Sequence, residues 1–525
     1  MLHRKSPLHT LPEVTPDGSG DPAPHSAYGT GAARDGDEGP PRAAPPGRTG
    51  GPQAEEPHAP SEGIPHGASE GPLLTESVRL GDGGYEHVRT RTVWNGLTPA
   101  RFPELIVRPA SEHEIPEVLA YAREKGLRVS VRSGGHNWTG APLRDGALLL
   151  DLCRLTRCDV DPDSSTATVG PAVTGGMLAA ELARHRLSFP TGHCPDVALG
   201  GYLLGGGLGW NGRELGPACR YVEEIQAVTA DGRTLTCSES EHADLFWASR
   251  GAGPGLFAVV TRFRLRLLPQ PGSIMTASLT FPLTEAERAG AWALRTARES
   301  PPNVEFSLVV KASGPPAGAT GATGPRLRLE ASVFAETRKA AAAALAPVDA
   351  CPFAGHALEL RPVEPTSFRS LYEGTGERWP SEHRYVVDTL WSTDSYETQL
   401  ARATRLIAHA PSQHSLALVP FEPVTPDPDG TRHGDMAFSA LGRSYAAVFA
   451  VWDEPEADDA NIRWLREGMD VLDPYGTGSH YVGEADLTAG RSRSRRSYAP
   501  ADWERLRRLR RRWDPAGLFH GYLTP

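Results

Sequence analysis

Nine glycines crowd the segment FPTGHCPDVALGGYLLGGGLGWNGRELGP, Phe189 to Pro217. Glycine gives up more conformational freedom on folding than any other residue and leaves no side chain to pack. A stretch this rich in it fits a backbone wrapped closely around a flat or charged ligand. The plain alternative is an irregular connection that uses glycine for turns, and the His193-Cys194-Pro195 cluster inside the stretch favours the ligand. Gly207, Gly209 and Gly212 formally spell GxGxxG. A dinucleotide fingerprint must follow a strand and open a helix. Here more glycine precedes the match and no clean helix follows, so a nicotinamide fold is not indicated.

A second glycine motif, VRSGGHNWTG, runs from Val131 to Gly140 and puts His136 at the tip of a strand. Without a Cβ, Gly134 and Gly135 let backbone N–H groups approach a phosphate. His136 reads as a cofactor ligand, a base or a satisfied loop histidine. Cys194 reads as a nucleophile activated by His193 or His136, or as a metal ligand with them. No acidic or thiol partners stand near it at metal-ligand spacing, so no metal is expected. None of the six cysteines forms a CxxC pair, which argues against a zinc ribbon, a thioredoxin site or a disulfide scaffold.

The net charge of −10 disfavours a nucleic-acid partner. No apolar run is long enough to cross a membrane, and the N-terminus lacks the apolar core of a secretory signal, so a cytoplasmic location is expected. High Arg, Ala and Gly usage suggests a GC-rich bacterial source. Residues 1–78, rich in Pro and Gly, have little to bury and read as disordered. Globular patterning follows. Ser111 and Glu114 form a capping box for a helix with Ile115, Val118, Leu119 and Ala122 on its inner face. Asp231-Gly232 marks a tight hairpin. Residues 79–272 read as a mixed α+β domain with glycine loops. Residues 273–472 alternate strands and helices, which suggests a sheet covered by helices, with a flexible loop at Ser313–Pro325. The segment 473–525 ends in a basic helix, Pro500–Trp513, and the sequence WDPAGLF.

RSGGH followed by GxCPxVxxGGxxxGGGxG resembles the berberine bridge enzyme-like flavoproteins of the vanillyl-alcohol oxidase and p-cresol methylhydroxylase superfamily. The chain separation of His136 and Cys194 is similar to that in members holding FAD on two covalent links. The resemblance implies an α+β fold: a two-part FAD-binding domain of the vanillyl-alcohol oxidase type, a substrate domain whose antiparallel sheet roofs the flavin, and a tail that returns to the FAD domain. It implies that His136 bonds the flavin 8α carbon and Cys194 bonds C6, and that two links raise the redox potential. Arg132, Ser133, Gly134, Gly135 and Asn137 would line the pyrophosphate. Thr191, Gly192, Gly200, Gly201, Gly206, Gly207 and Val259 would border the cofactor. Val197 would be a gate that admits oxygen. Tyr202 stands where many relatives have a histidine.

HYVGEAD, His480 to Asp486, is similar to the family's YxNYxD, with Gly483-Glu484 in place of Asn-Tyr. Tyr481 matches the tyrosine that assists substrate deprotonation and is the expected base. RYVVDTLWS, Arg384 to Ser392, would be a strand facing the flavin, with Tyr385 and Asp388 as its polar candidates. The implied activity is oxidation of an alcohol, amine or activated C–H bond of a small molecule, with electrons passed to molecular oxygen and a role in tailoring natural products. A dehydrogenase with another acceptor and a non-catalytic glycine-rich binding protein are the rival readings.

Overall fold

The structure, a computed structural model, describes residues 76–312, 324–379, 383–425, 434–439, 441–490 and 492–523. Of the segment 1–78 expected to be disordered, residues 1–75 lie outside these residues, as does most of the Ser313–Pro325 loop, but Ser77 and Val78 are ordered, paired in a strand with Val107 and Ile106. Everything described belongs to the unit Glu62–Pro525.

The chain first builds a four-stranded sheet from β1 (Ser77–Arg79), β2 (Leu105–Val107), β3 (Val129–Arg132) and β4 (Leu148–Asp151), in the order β1-β2-β4-β3. β2, β4 and β3 run parallel, and β4 is buried at all four positions, so Leu148-Leu149-Leu150 needs no polar face. The helix Ile115–Glu124 packs Ile115, Val118, Leu119 and Ala122 against this sheet. Its start differs from the expected capping box. A 3-10 turn, Glu112–Glu114, comes first, and Ser111 makes no side-chain cap. The Glu114 carboxylate instead accepts the Ala110 N–H at 3.2 Å.

A second sheet, wholly antiparallel, follows. It contains β5 (Cys158–Asp161) and β6 (Thr166–Val169); after the short β7 (Leu187–Ser188) it adds β8 (Val222–Thr229), β9 (Thr234–Ser238) and β10 (Ala258–Arg266). Its order is β5-β6-β10-β8-β9, and β11 (Leu268–Pro269) pairs only with β7. The β8–β9 connection turns at Asp231-Gly232, where Gly232 has φ 90°. After the basic helix Pro500–Trp513, the Asp514 carboxylate accepts the N–H groups of Leu518 and Phe519 at 2.7 and 3.0 Å. Phe519, buried, forms a parallel bridge to Val129 of β3.

The third sheet has seven strands: β12 (Ser273–Pro282), β13 (Val304–Lys311), β14 (Arg326–Ala335), β15 (Glu359–Thr366), β16 (Arg384–Ser392), β17 (Leu416–Phe421) and β18 (Ser444–Trp452). Their order is β15-β12-β14-β13-β17-β18-β16, and every pairing is antiparallel. Alternation decides its two faces. Met275, Ala277 and Leu279 of β12, Phe306 and Leu308 of β13, and Leu327 and Leu329 of β14 pack under the helices Ala286–Glu299, Arg338–Asp349, Tyr396–Ile407 and Asp458–Leu472. Each such Leu, Met or Phe side chain, fully buried, contributes about 1.5–3 kcal/mol before the entropy cost of ordering it. The intervening residues, Thr276, Ser278, Glu305, Ser307, Arg328 and Glu330, face a cavity.

Candidate active site

The cavity has a volume of about 640 Å³, within the range of small-molecule and cofactor sites. Glycine-rich backbone forms its floor and the open face of the seven-stranded sheet forms its roof. The two motifs, far apart in sequence, meet there: His136 and Cys194 both line it. Arg132, Ser133, Gly134, Gly135 and Asn137 line it from the β3 side. Gly192, Val197, Gly200, Gly201 and Tyr202 line it from the second motif, and Tyr481 from the C-terminal part.

The floor is held by backbone geometry. Gly135 has φ 77°, its carbonyl accepts the Trp94 N–H at 3.0 Å, and a Cβ there would run into the Thr92 carbonyl oxygen. Only glycine fits that position without strain. Gly201 is different: a Cβ on it would meet no protein atom within 4 Å, so it opens directly onto the cavity. Ser133 Oγ accepts the Gly201 N–H at 3.2 Å and ties the two motifs together. Arg132, expected at a pyrophosphate, spends its donors on the protein. It reaches Asp151 at 2.7 Å and the carbonyls of Thr92 and Gly134 at 3.1 Å each. Asp151 is wholly buried and also meets Arg108, so this ion pair anchors the root of the loop. Asn137 turns its Oδ1 inward to the N–H groups of Thr139 and Ala141.

His136 stacks on Trp94 with ring centroids 4.6 Å apart. Burial, helped by the Arg132 charge, pushes its pKa down to about 4, so the ring is neutral at ordinary pH. Although the residue as a whole is only partly buried, its Nε2 is buried with no hydrogen-bond partner among the described residues. A buried polar atom left unsatisfied costs about 1–3 kcal/mol. A neutral imidazole at the wall of a cofactor-sized cavity, with a nitrogen the chain does not satisfy, suits a covalent or closely bound group. The six cysteines form no disulfide.

Several expected residues support the site from behind its wall. Thr191 is buried, its hydroxyl bonds Tyr372, and its carbonyl accepts the Trp210 N–H. Gly206 packs against Phe438, while the Gly207 N–H donates to the Tyr481 hydroxyl at 3.2 Å. Val259 belongs to the core between the first two sheets. Tyr202 lines the cavity with its ring, and its hydroxyl donates to the Pro190 carbonyl at 2.7 Å. β16 forms as expected, but its polar candidates do not reach the cavity. Tyr385 lies on the cavity side of the sheet yet is fully buried behind Trp94 and Trp138, with its backbone tied to Asn95. The pleat sends Asp388 to the opposite face, where it pairs with Arg493 at 2.9 Å and His480 at 3.5 Å.

Other wall residues were not singled out from sequence. Glu305 of β13 joins roof to floor: one oxygen meets His193 Nε2 at 2.8 Å and the other accepts the Asn211 N–H at 2.9 Å. Trp138, Trp379 and Phe449 make an aromatic wall. Arg144 and His520 line another part. There burial and the charges of Arg128, Arg144 and Arg510 hold His520 down to about 4, a surplus of positive charge that suits an anion such as a pyrophosphate. Among the described residues no group of three His, Cys, Asp or Glu could hold a metal, and no helix is long and apolar enough to cross a membrane.

Residues 103–238 match the FAD binding domain family. FAD-linked oxidoreductase ptmO of Penicillium ochrochloron is 31% identical over 433 residues, covering 82% of this chain and 93% of that protein. (R)-6-hydroxynicotine oxidase of Paenarthrobacter nicotinovorans is 36% identical over 215 residues, 41% of this chain and 46% of that protein. Among solved structures, 6-hydroxy-D-nicotine oxidase from Arthrobacter nicotinovorans superposes with a TM-score of 0.74 at 22% identity, covering 86% of this chain and 98% of the other. Berberine bridge enzyme from Eschscholzia californica gives 0.71 at 19% identity, over 86% and 96%. The long Penicillium match is to a fungal protein, so the bacterial source suggested by composition gains no support. The matched FAD domain and the relative aligned along most of its length together mean that the chain belongs to the FAD-linked oxidoreductases, with a fold shared with berberine bridge enzyme and 6-hydroxy-D-nicotine oxidase.

Proposed function

We propose that this enzyme is an oxidase that holds FAD covalently through both His136 and Cys194. The observation that carries this reading is the convergence of the two side chains on one glycine-floored cavity, with a buried His136 nitrogen unsatisfied. Each link would replace a flavin C–H bond and an N–H or S–H bond by one C–N or C–S bond. The two electrons and two protons released would leave on oxygen as hydrogen peroxide. When bound, FAD supplies the hydride acceptor for the substrate and a route for its electrons to oxygen. Val197 on the cavity wall supports oxygen as the acceptor, through the family resemblance.

The substrate is a small alcohol, amine or activated C–H compound lying between floor and roof. The aromatic wall suits an apolar ring system, and the polar β12–β14 face suits its hydroxyl or amine groups. Tyr481 contacts the reacting oxygen or nitrogen, and Asn137, Gly192 and Gly200 border the cofactor. A role in tailoring natural products and a cytoplasmic location complete the reading. Denaturation of the purified protein tests it. Yellow colour should stay with the precipitated chain, and the chain mass should rise by one FAD. His136→Ala and Cys194→Ala should each keep one tether, and only the double variant should release the dye. A white precipitate from the wild type would refute the linkage.

A further inference from the structure

Tyr481 and Glu484 leave the same short turn side by side. The carbonyl of Tyr481 accepts the N–H groups of Glu484 and Ala485 at 3.1 and 2.8 Å, so residues three apart share one side of a helical turn. Gly483 makes the turn possible, because a Cβ there would lie 2.6 Å from the Tyr481 ring. Gly483 and Glu484 are also where this chain departs from the family's Asn-Tyr. Glu484 lines the cavity, and its Oε2 accepts the hydroxyl of Tyr445, which reaches down from β18 at 3.1 Å. Tyr445 lines the cavity too and is itself almost wholly buried.

The chemistry needs a group that can take a proton. Loss of a hydride from the carbon of an alcohol or amine must be matched by loss of a proton from its oxygen or nitrogen. Burial pushes Tyr481, Tyr445 and Tyr202 all upward from the ordinary phenol range. At working pH these are neutral phenols, and a neutral phenol has no vacancy for a proton. Tyr481 also already accepts the Gly207 N–H, which leaves its own hydrogen to donate. A carboxylate does have the vacancy. Burial raises Glu484 above the ordinary carboxyl range, while the Tyr445 hydroxyl and the positive potential of His193 hold it down. That is the balance expected of a base matched to its pH.

We propose that Glu484 is the proton acceptor of the reaction, with Tyr445 orienting its carboxylate and Tyr481 donating a hydrogen bond to the substrate. The assignment rests on the oxidase reading above. The two electrons leave the substrate with the hydride and enter the bound FAD, while the remaining proton passes from the substrate O–H or N–H to Glu484. The groups facing the carboxyl are Tyr445 from β18, Tyr481 from its own turn and His193 from the glycine-rich segment, with Glu305 behind His193.

The test uses the yellow holoenzyme. In pH-difference infrared spectra, a protonated-carboxyl band should titrate above the ordinary glutamate range. It should vanish in Glu484→Gln and move to still higher pH in Tyr445→Phe, which has lost a donor to the carboxylate. Anaerobic mixing with a panel of 6-hydroxynicotine, benzyl alcohol and xylobiose then reads flavin bleaching. With a probe that bleaches the wild type, the rate should rise with pH through the same midpoint. Glu484→Gln should slow it about 10²–10⁴-fold and abolish that limb, and Glu484→Asp should restore part of the rate and the limb. A band that survives Glu484→Gln, a midpoint unmoved by Tyr445→Phe, or wild-type bleaching in Glu484→Gln overturns the assignment. Failure of all three probes in the wild type counts against the oxidase reading for those classes alone, since the infrared band still decides on Glu484. A colourless purified protein overturns both.

Discussion

The glycine floor presents backbone to the cavity, whereas the seven-stranded roof presents side chains. Gly135 and Gly201 matter for what they lack: one leaves room for the Thr92 carbonyl and the other opens the cavity. On the roof, Glu305, Arg328 and Tyr445 each come from a different strand and can change without disturbing the pleat. The difference suggests a division of labour. The floor sets whether a flavin can be held at all, and the roof, with the Tyr481–Glu484 turn beneath it, sets what is oxidised and how its proton leaves.

Three variants would break that division if it is wrong. The largest effect is expected for Tyr481→Phe, which loses a hydrogen-bond donor to the reacting atom and should slow substrate-dependent flavin bleaching by about 10²–10³-fold while the protein stays yellow. Normal reduction by this variant would remove Tyr481 from the reacting centre. Gly135→Ala comes next. It combines a positive φ with a collision against Thr92, at a cost of about 3 kcal/mol or more, and the protein should purify with little flavin and melt early. Full flavin content in that variant would mean that the floor tolerates side chains. Glu305→Gln is a milder test of the strut between the two regions. Loss of a charged acceptor for His193 and the Asn211 N–H should lower stability by about 1–2 kcal/mol, read in thermal unfolding, and leave covalent flavin in place.

The floor was legible in the sequence because its signal is local. RSGGH and the nine-glycine stretch state their chemistry within a few residues, and the cavity gathers both motifs. Legibility failed where a neighbour distant in sequence decided the outcome. Asp388 looked like a flavin-facing residue, yet the pleat places it on the far side, against Arg493 and His480. Arg132 looked free for a phosphate, but Asp151, nineteen residues on, claims its guanidinium. The roof left a signal that went unread. Over Met275–Phe281 of β12, Val304–Leu308 of β13 and Arg326–Val333 of β14 polar residues alternate with apolar ones, and the helices need only the apolar face, so the polar face required something other than a core to meet.

The smallest expected effect is an absence of change, and it tests the floor at His136. An ordinary histidine protonates near pH 6.5 and loses its nucleophilic lone pair below it. Here burial holds the group down to about 4, so the native chain favours the neutral ring and the imidazole stays available well below pH 6.5. In the Cys194→Ala protein, prepared without flavin and then given FAD, attachment through His136 should proceed at a constant rate from pH 7.5 to about 5 and slow only as the pH nears about 4. Lowered affinity for the proton also has a cost in stability. The flavin-free chain should lose stability as pH falls from 6.5 towards 4, because the unfolded histidine binds a proton that the folded one refuses. His136→Ala should flatten that part of the stability curve. Attachment already halved near pH 6.5 would mean that the ring is solvated, and that the floor does not shield the nucleophile it carries.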